Sequence, residues 1–163
     1  MKNILAALVC AASLATGVAA QSKSGSLQGV WQTVEIRIAG ASPRTITIPS
    51  PGPYLTIFTA KHYSRTEVQS EAPRPVLADA AKATADELRA VWGSVIAEAG
   101  TYEVSGNTLT LHPIASKSPA AMAPGALIVN TYTLDGNTLT VTQVRNQAGP
   151  YPSPVTFKLV RVE

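Results

Sequence analysis

The stretch LIVNTYTLDGNTLTVTQV, residues 127–144, carries the clearest folding signal in this chain. Two runs rich in Val, Thr, Leu and Tyr, residues 127–134 and 138–144, flank Asp135-Gly136-Asn137. Asp and Gly tolerate the positive φ angles of tight turns, and β-branched and aromatic residues suit a pleated strand. The stretch therefore predicts a β-hairpin.

Similar strand patterns recur along the chain. A second hairpin is predicted around Ser105-Gly106-Asn107 and a third around Ala60-Lys61, and the proline-rich residues 49–53 end a short strand because Pro cannot donate a ladder hydrogen bond. The predicted strands are residues 30–38, 45–48, 54–59, 62–69, 102–104, 108–114, 127–134, 138–144 and 155–162. Eight or so strands at this spacing predict an all-β, mainly antiparallel barrel or sandwich.

One amphipathic helix is predicted between the strands. An apolar stripe at helical spacing is formed by Leu88, Val91, Trp92, Val95, Ile96 and Ala99. Thr84 and Glu87 have the spacing of a capping box at its start, and Gly100 is suited to cap its end. Trp92 is then expected to anchor the helix against the barrel.

The N-terminus has the parts of a secretory signal. Lys2 supplies a positive charge, residues 4–14 are apolar, and small residues precede Gln21. The apolar run is too short for a stable membrane span. We expect cleavage after Ala20, export to the periplasm or the medium, a disordered leader at residues 21–26, and one domain at residues 27–163.

Removing residues 1–20 narrows the possible functions. The sole cysteine, Cys10, is lost, so the mature chain has no disulfide or thiol nucleophile. Loss of Lys2 leaves 12 of the 13 basic residues against 10 acidic ones. This small excess gives no reason to expect nucleic acid as a partner. The mature chain has no second long apolar run, so no stable membrane insertion is expected.

Several segments resemble a known family. Leu27-Gln28-Gly29-Val30-Trp31 carries a Gly-x-Trp motif in the first predicted strand, and Arg161 is a basic residue near the end. Four further segments between them contribute to the resemblance, namely residues 54–57 with 62–64, 97–104, 107–112 with Pro119, and 132–140. In this order they resemble the lipocalin-like domain of the calycin superfamily. The resemblance implies a closed barrel of about eight strands with an internal cavity and one inserted helix.

The resemblance also implies that Trp31 and Arg161 meet at one end and close the barrel there. A guanidinium over an indole face is attractive. The chain departs from the family at two positions. Leu111-His112 stands where the family often has a His pair, and Glu98 stands where it often has an aromatic residue. An activity that used the paired His is therefore not expected.

The orientation of the first strand is ambiguous. Strict alternation divides the strand into two faces. One face carries Trp31, Thr33, Glu35 and Arg37. The other face is apolar and carries Val30, Val34, Ile36 and Ile38. A β-bulge near Gln32 or Thr33 would let Trp31 and the apolar residues both face inward. Alternatively, the apolar set packs outward under the helix and leaves a polar lumen. We prefer the second interpretation, which makes Glu35 and Arg37 candidate ligand contacts.

The sequence carries no recognisable catalytic or metal-binding motif. His62 and His112 are its two imidazoles, and neither stands in a nucleophile or zinc-binding motif. No glycine-rich phosphate loop is present, and no cofactor or metal is expected. His112 is the better functional candidate because it lies on a predicted strand before Pro113.

These observations predict a barrel that binds a small, largely apolar molecule in its interior. The candidate ligand-binding residues are Glu35, Arg37, Tyr63, Tyr102, His112 and Tyr132. One alternative is an isomerase, cyclase or hydrolase in the same cavity, and another is a filled barrel that acts as a structural or interaction module. An empty apolar cavity favours binding, and a cavity where His112 meets a carboxylate favours catalysis.

Overall fold

Nine strands and one α-helix are found in the described part of the chain, residues 26–49, 52–70 and 72–163 of a computed structural model. The predicted signal peptide lies outside these residues, as does the predicted leader apart from Ser26. The elements are β1 (Gly29–Ile38), β2 (Arg44–Thr47), β3 (Tyr54–Phe58), β4 (His62–Val68), α1 (Ala85–Trp92), β5 (Val95–Ser105), β6 (Thr108–Ser116), β7 (Ile128–Asp135), β8 (Thr138–Asn146) and β9 (Gly149–Arg161).

Eight of these strands close into an antiparallel barrel. β1 pairs with β3, and each strand from β3 to β8 pairs with the strand that follows it in the chain. β9 pairs with β1 and closes the barrel. β2 pairs with the second half of β1 as an additional strand. The predicted all-β, antiparallel closed barrel is therefore confirmed, and it fits a calycin-like fold.

The two ends of the barrel differ. At the end that we call the floor, Trp31 pairs with Arg161. At the opposite end, which we call the rim, Ile38 pairs with Val155. The rim also carries β2 and the described residues of the connection from β4 to β5, 69–70 and 72–94, which include α1.

A cation–π contact lies at the floor. Trp31 is fully buried, and Arg161 Cζ lies 4.1 Å from the centroid of its ring. Trp31 Nε1 donates to the Leu27 carbonyl at 2.8 Å, and Arg161 Nη2 donates to the Ser26 carbonyl at 2.6 Å. The first and last strands thus meet as the resemblance implied. The two hydrogen bonds connect Trp31 and Arg161 to residues that precede β1.

A bulge in β1 decides which side chains face inward. The pairing with β9 shifts between Thr33 and Glu35, so the alternation changes phase there. Thr33 and Ile36 are both buried, although strict alternation would place them on opposite faces. The preferred polar-lumen interpretation is therefore wrong, and the bulge alternative is correct. The physical reason is that one extra residue lets Trp31 and Ile36 both enter the interior.

The helix prediction is wrong in its extent and its packing. α1 ends at Trp92, and Val95 begins β5, whose pairing with β4 runs from Val68↔Val95 to His62↔Thr101. Ladder hydrogen bonds and β-branched residues favour the strand over the helical stripe in this segment. Gly100 consequently lies inside β5, beside a second bulge.

The start of α1 matches the prediction. The Thr84 side chain accepts from Glu87 N at 3.3 Å, and the Glu87 side chain accepts from Thr84 N at 2.8 Å. The helix buries none of its residues, and Trp92 is 54% exposed. Trp92 is therefore not the packing anchor that we expected. No helix among the described residues is long and apolar enough to cross a membrane.

Candidate functional site

A cavity of about 730 Å³ occupies the rim half of the barrel. Much of its wall is aliphatic or aromatic, including Ile36, Ile38, Ile46, Ile96, Ile128, Val155 and Phe157. Towards the rim, exposed residues such as Arg44, Pro53 and Ser70 also line it. An apolar concavity of this size is typical of small-molecule sites.

Two charged residues of β4 enter the interior because of the strand period. Tyr63, Arg65 and Glu67 alternate with exposed neighbours and share the inward face. Arg65 and Glu67 form a two-pronged ion pair, with Nε to Oε1 at 2.7 Å and Nη2 to Oε2 at 3.0 Å. Gln69 Nε2 donates to Glu67 Oε2 at 2.9 Å, and Arg65 Cζ lies 4.7 Å from the ring centroid of Phe157. These contacts hold the guanidinium in one place.

A second carboxyl group, that of Glu98 on β5, lies beside this pair. Its Oε1 is 3.8 Å from Arg65 Nη1, which is too long for a hydrogen bond. That oxygen is shielded from solvent and has no hydrogen-bond partner among the described residues. The Glu98 side chain is only 8% exposed, and it lines the cavity. We call Arg65, Glu67 and Glu98 the lumen charge cluster.

The electrostatics of the cluster shift the pKa values of Arg65 and Glu98 in the same direction, upwards. Burial raises the pKa of Glu98, Arg65 opposes this shift, and Glu67 adds to it. Burial alone would lower the pKa of Arg65, but the carboxylates of Glu67 and Glu98 raise it further. Burial also raises the pKa of Tyr63, whose hydroxyl has no hydrogen-bond partner among the described residues.

The cluster separates the cavity from a packed floor half. Arg65 and Phe157 line the cavity on one side and a gap of only about 40 Å³ on the other. Around this gap, Leu109 and Leu139 are almost fully buried, and Asn130 Nδ2 donates to the Leu109 carbonyl at 3.0 Å. The interior is therefore filled below the cluster and hollow above it.

Glu35 and Arg37, two predicted ligand contacts, lie away from the lumen. Arg37 Nε and Glu35 Oε1 form an ion pair at 2.6 Å, and the Arg37 side chain is 63% exposed. Neither residue lines the cavity of the rim half or the small gap below the cluster. The β1 bulge explains this, because it turns Ile36 inward and its two neighbours outward.

The other four predicted ligand residues also lie outside the two cavity walls. Tyr63 is buried beside the lumen charge cluster, and Tyr102 Oη donates to the Thr59 carbonyl at 2.8 Å. Tyr132 packs against the core. His112 Nε2 lies 3.9 Å from Glu103 Oε1, which is too long for a hydrogen bond, and this contact lies outside the cavity.

The three residues of the lumen charge cluster are not among the predicted ligand-binding residues. Arg65 and Glu67 lie within the predicted strand at residues 62–69 and belong to no motif, and Glu98 stands out in the sequence only as a departure from the family. The available signal was the alternation of Tyr63, Arg65 and Glu67 in a strand predicted to be half-buried. No group of three or more metal-ligating side chains occurs in residues 26–49, 52–70 and 72–163.

No family model matches the chain, and no curated protein matches it. Among solved structures, it is similar to an uncharacterized protein from Bacteroides eggerthii. The two are 9% identical with a TM-score of 0.43, over 82% of this chain and 98% of the other.

Proposed function

We propose that this protein is an exported lipocalin-like barrel that binds a small, largely apolar molecule in the cavity of its rim half. The observation that supports the proposal is the hollow, mainly apolar upper interior of about 730 Å³. Packed interiors contain few voids larger than a water molecule, so a space of this size argues for an occupant. The filled-barrel alternative accounts only for the floor half.

Export to the periplasm or the medium is part of the same proposal. It rests on the charge, the apolar run and the small residues of positions 1–20. Fractionation of the host, with detection of the chain and of its mature N-terminus, tests this part separately. An N-terminus at Met1 in the cytoplasmic fraction would contradict it.

Native mass spectrometry of protein purified from its own host tests the binding proposal. We expect an additional mass that dissociates as a small organic molecule. In parallel, an apolar fluorescent dye should bind the wild-type protein, and Ile96→Trp should weaken the binding because the larger side chain fills the cavity. Ile57→Trp is the matched control, since Ile57 is 41% exposed and does not line the cavity. Equal dye binding by both variants would argue against this site.

A second candidate function, an isomerase, cyclase or hydrolase in the same cavity, has one observation in its favour. A buried carboxyl with a raised pKa in a pocket, as at Glu98, is a common feature of general acids and bases. His112, however, lies outside the cavity, so no His–carboxylate pair is available there. If the wild type and Glu98→Gln carry chemically different molecules from the same host, catalysis is favoured over binding.

A further inference from the structure

The base of the cavity presents both signs of charge side by side. Arg65 directs Nε and Nη2 to Glu67, and its Nη1 lies 3.8 Å from Oε1 of Glu98. The Glu98 side chain is more than nine-tenths buried, and its Oε1 has no hydrogen-bond partner among the described residues. The torsion of a Glu carboxyl about its last bond is broad, so a modest rotation can turn either oxygen towards the cavity.

We propose that the bound molecule ends in an uncharged hydroxyl group, which contacts the Glu98 carboxyl and the Arg65 guanidinium at the base of the cavity. This inference rests on the proposed binding function. A hydroxyl accepts one hydrogen bond and donates another, so one group can serve the guanidinium and the carboxyl at once. The apolar remainder of the molecule lies against the aliphatic wall above.

Ligands with a charged head fit this base poorly. For an ammonium beside Glu98, repulsion by the neighbouring Arg65 guanidinium offsets the attraction of the carboxyls. A carboxylate would be repelled by Glu67, and by Glu98 when it is ionised. Either head would also lose part of its hydration on reaching the buried Glu98 side chain at the base. Arg65 already has its counter-ion in Glu67, so it gives a ligand carboxylate little net attraction.

Three ligands with the same apolar chain test the inference: decanol, decylamine and decanoate. Each ligand is titrated against the mature protein loaded with an apolar fluorescent dye at neutral pH. The dissociation constants obtained from dye displacement are then compared. We expect decanol to bind at least about tenfold more tightly than the other two. Tightest binding by decanoate or decylamine would overturn the inference and leave the binding function intact.

Variants of Glu98 show whether the carboxyl is responsible. Glu98→Leu should abolish the preference for decanol, whereas Glu98→Gln should keep most of it because an amide also donates and accepts. Glu103→Leu is the control, since Glu103 lies on the same strand with its side chain 80% exposed. If Glu98→Leu does not fold, the wild-type ranking and Glu98→Gln still decide.

The remaining outcomes separate the two proposals. Equal affinity of the wild type for all three ligands would overturn the inference, because the base would then not sense the ligand head. If the wild type binds neither the dye nor any of the three ligands, the binding function itself is contradicted. The inference about the head group then fails with it.

Discussion

Arg65 and Glu67, two residues apart on β4, form a buried ion pair with N–O distances of 2.7 and 3.0 Å. The Glu67 side chain is 1% exposed and that of Arg65 is 11% exposed. Charges removed from water in this way are stable only when paired. The stability of the interior between the cavity and the packed floor half therefore depends on both residues. The pair also holds the guanidinium in a fixed position at the base of the cavity.

Removing one member of this pair is expected to be costly. Glu67→Leu leaves Arg65 with Glu98 alone, at a longer distance, and should lower the free energy of unfolding by about 3 kcal/mol. The double variant Arg65→Met with Glu67→Leu should recover most of the loss. Chemical denaturation measures both, with Glu103→Leu as an exposed control. A loss below about 1 kcal/mol for Glu67→Leu would mean that the pair is solvated in solution.

The stability of the protein should depend on pH through Glu98. Its pKa in the folded protein is raised above the ordinary value of 4.5, so the folded chain keeps a proton that the unfolded chain has released. Stability contributed by this group is therefore present below about pH 4.5 and falls as the pH rises towards the folded pKa. Glu98→Gln lacks this titration, so it should gain stability relative to the wild type across that interval.

Denaturation of both proteins at a series of pH values measures the difference. The groups that face Glu98, namely Arg65, Glu67 and Tyr63, are present in both proteins, so the difference between the two pH curves reports on Glu98. A difference between the two proteins that stays constant with pH would contradict the raised pKa.

The two tryptophans should differ sharply in their contribution to stability. Trp31 is fully buried beneath Arg161, so Trp31→Ala should cost about 3–5 kcal/mol. Trp92 is 54% exposed on a helix that buries nothing, so Trp92→Ala should change stability by no more than about 0.5 kcal/mol. Thermal and chemical denaturation decide. Similar losses for both variants would mean that α1 packs against the barrel in solution.

Fluorescence quenching provides an independent check on the two environments. Acrylamide should quench the emission of the wild type in two components, an accessible one from Trp92 and a protected one from Trp31. Trp92→Phe should remove the accessible component and leave the protected one. If the remaining emission of Trp92→Phe were readily quenched, the floor of the barrel would be open to solvent.

Local sequence signals determined most of the strand framework. The turn at Asp135-Gly136-Asn137 joins β7 to β8 where predicted, and the capping box of Thr84 and Glu87 begins α1. These features involve neighbours in the chain, so their physics is readable in the sequence. Trp31 and Arg161 lie far apart in the chain, and their meeting was implied by resemblance to a family rather than by the residues alone.

Tertiary pairing decided where α1 ends and which way β1 faces. Ile96 suits a helical stripe and a strand equally well, and only its pairing with Glu67 on the neighbouring strand β4 selects the strand. The β1 bulge likewise depends on β9, because closing the barrel requires Trp31 to pair with Arg161 and Ile36 to pair with Phe157. A periodic pattern within one segment cannot report either constraint.

The candidate site depended most on the tertiary structure. The sequence by itself determined that Arg65 and Glu67 share one face of a strand, but not that this face lines the interior of a barrel. Glu98 joins them only because β5 pairs beside β4, with Glu98 opposite Arg65. Buried charges are costly unless partners are in place, so hydrophobicity alone favours placing them outside. Closure of the barrel supplies those partners, and for that reason only the folded structure could place a charge cluster beneath an apolar cavity.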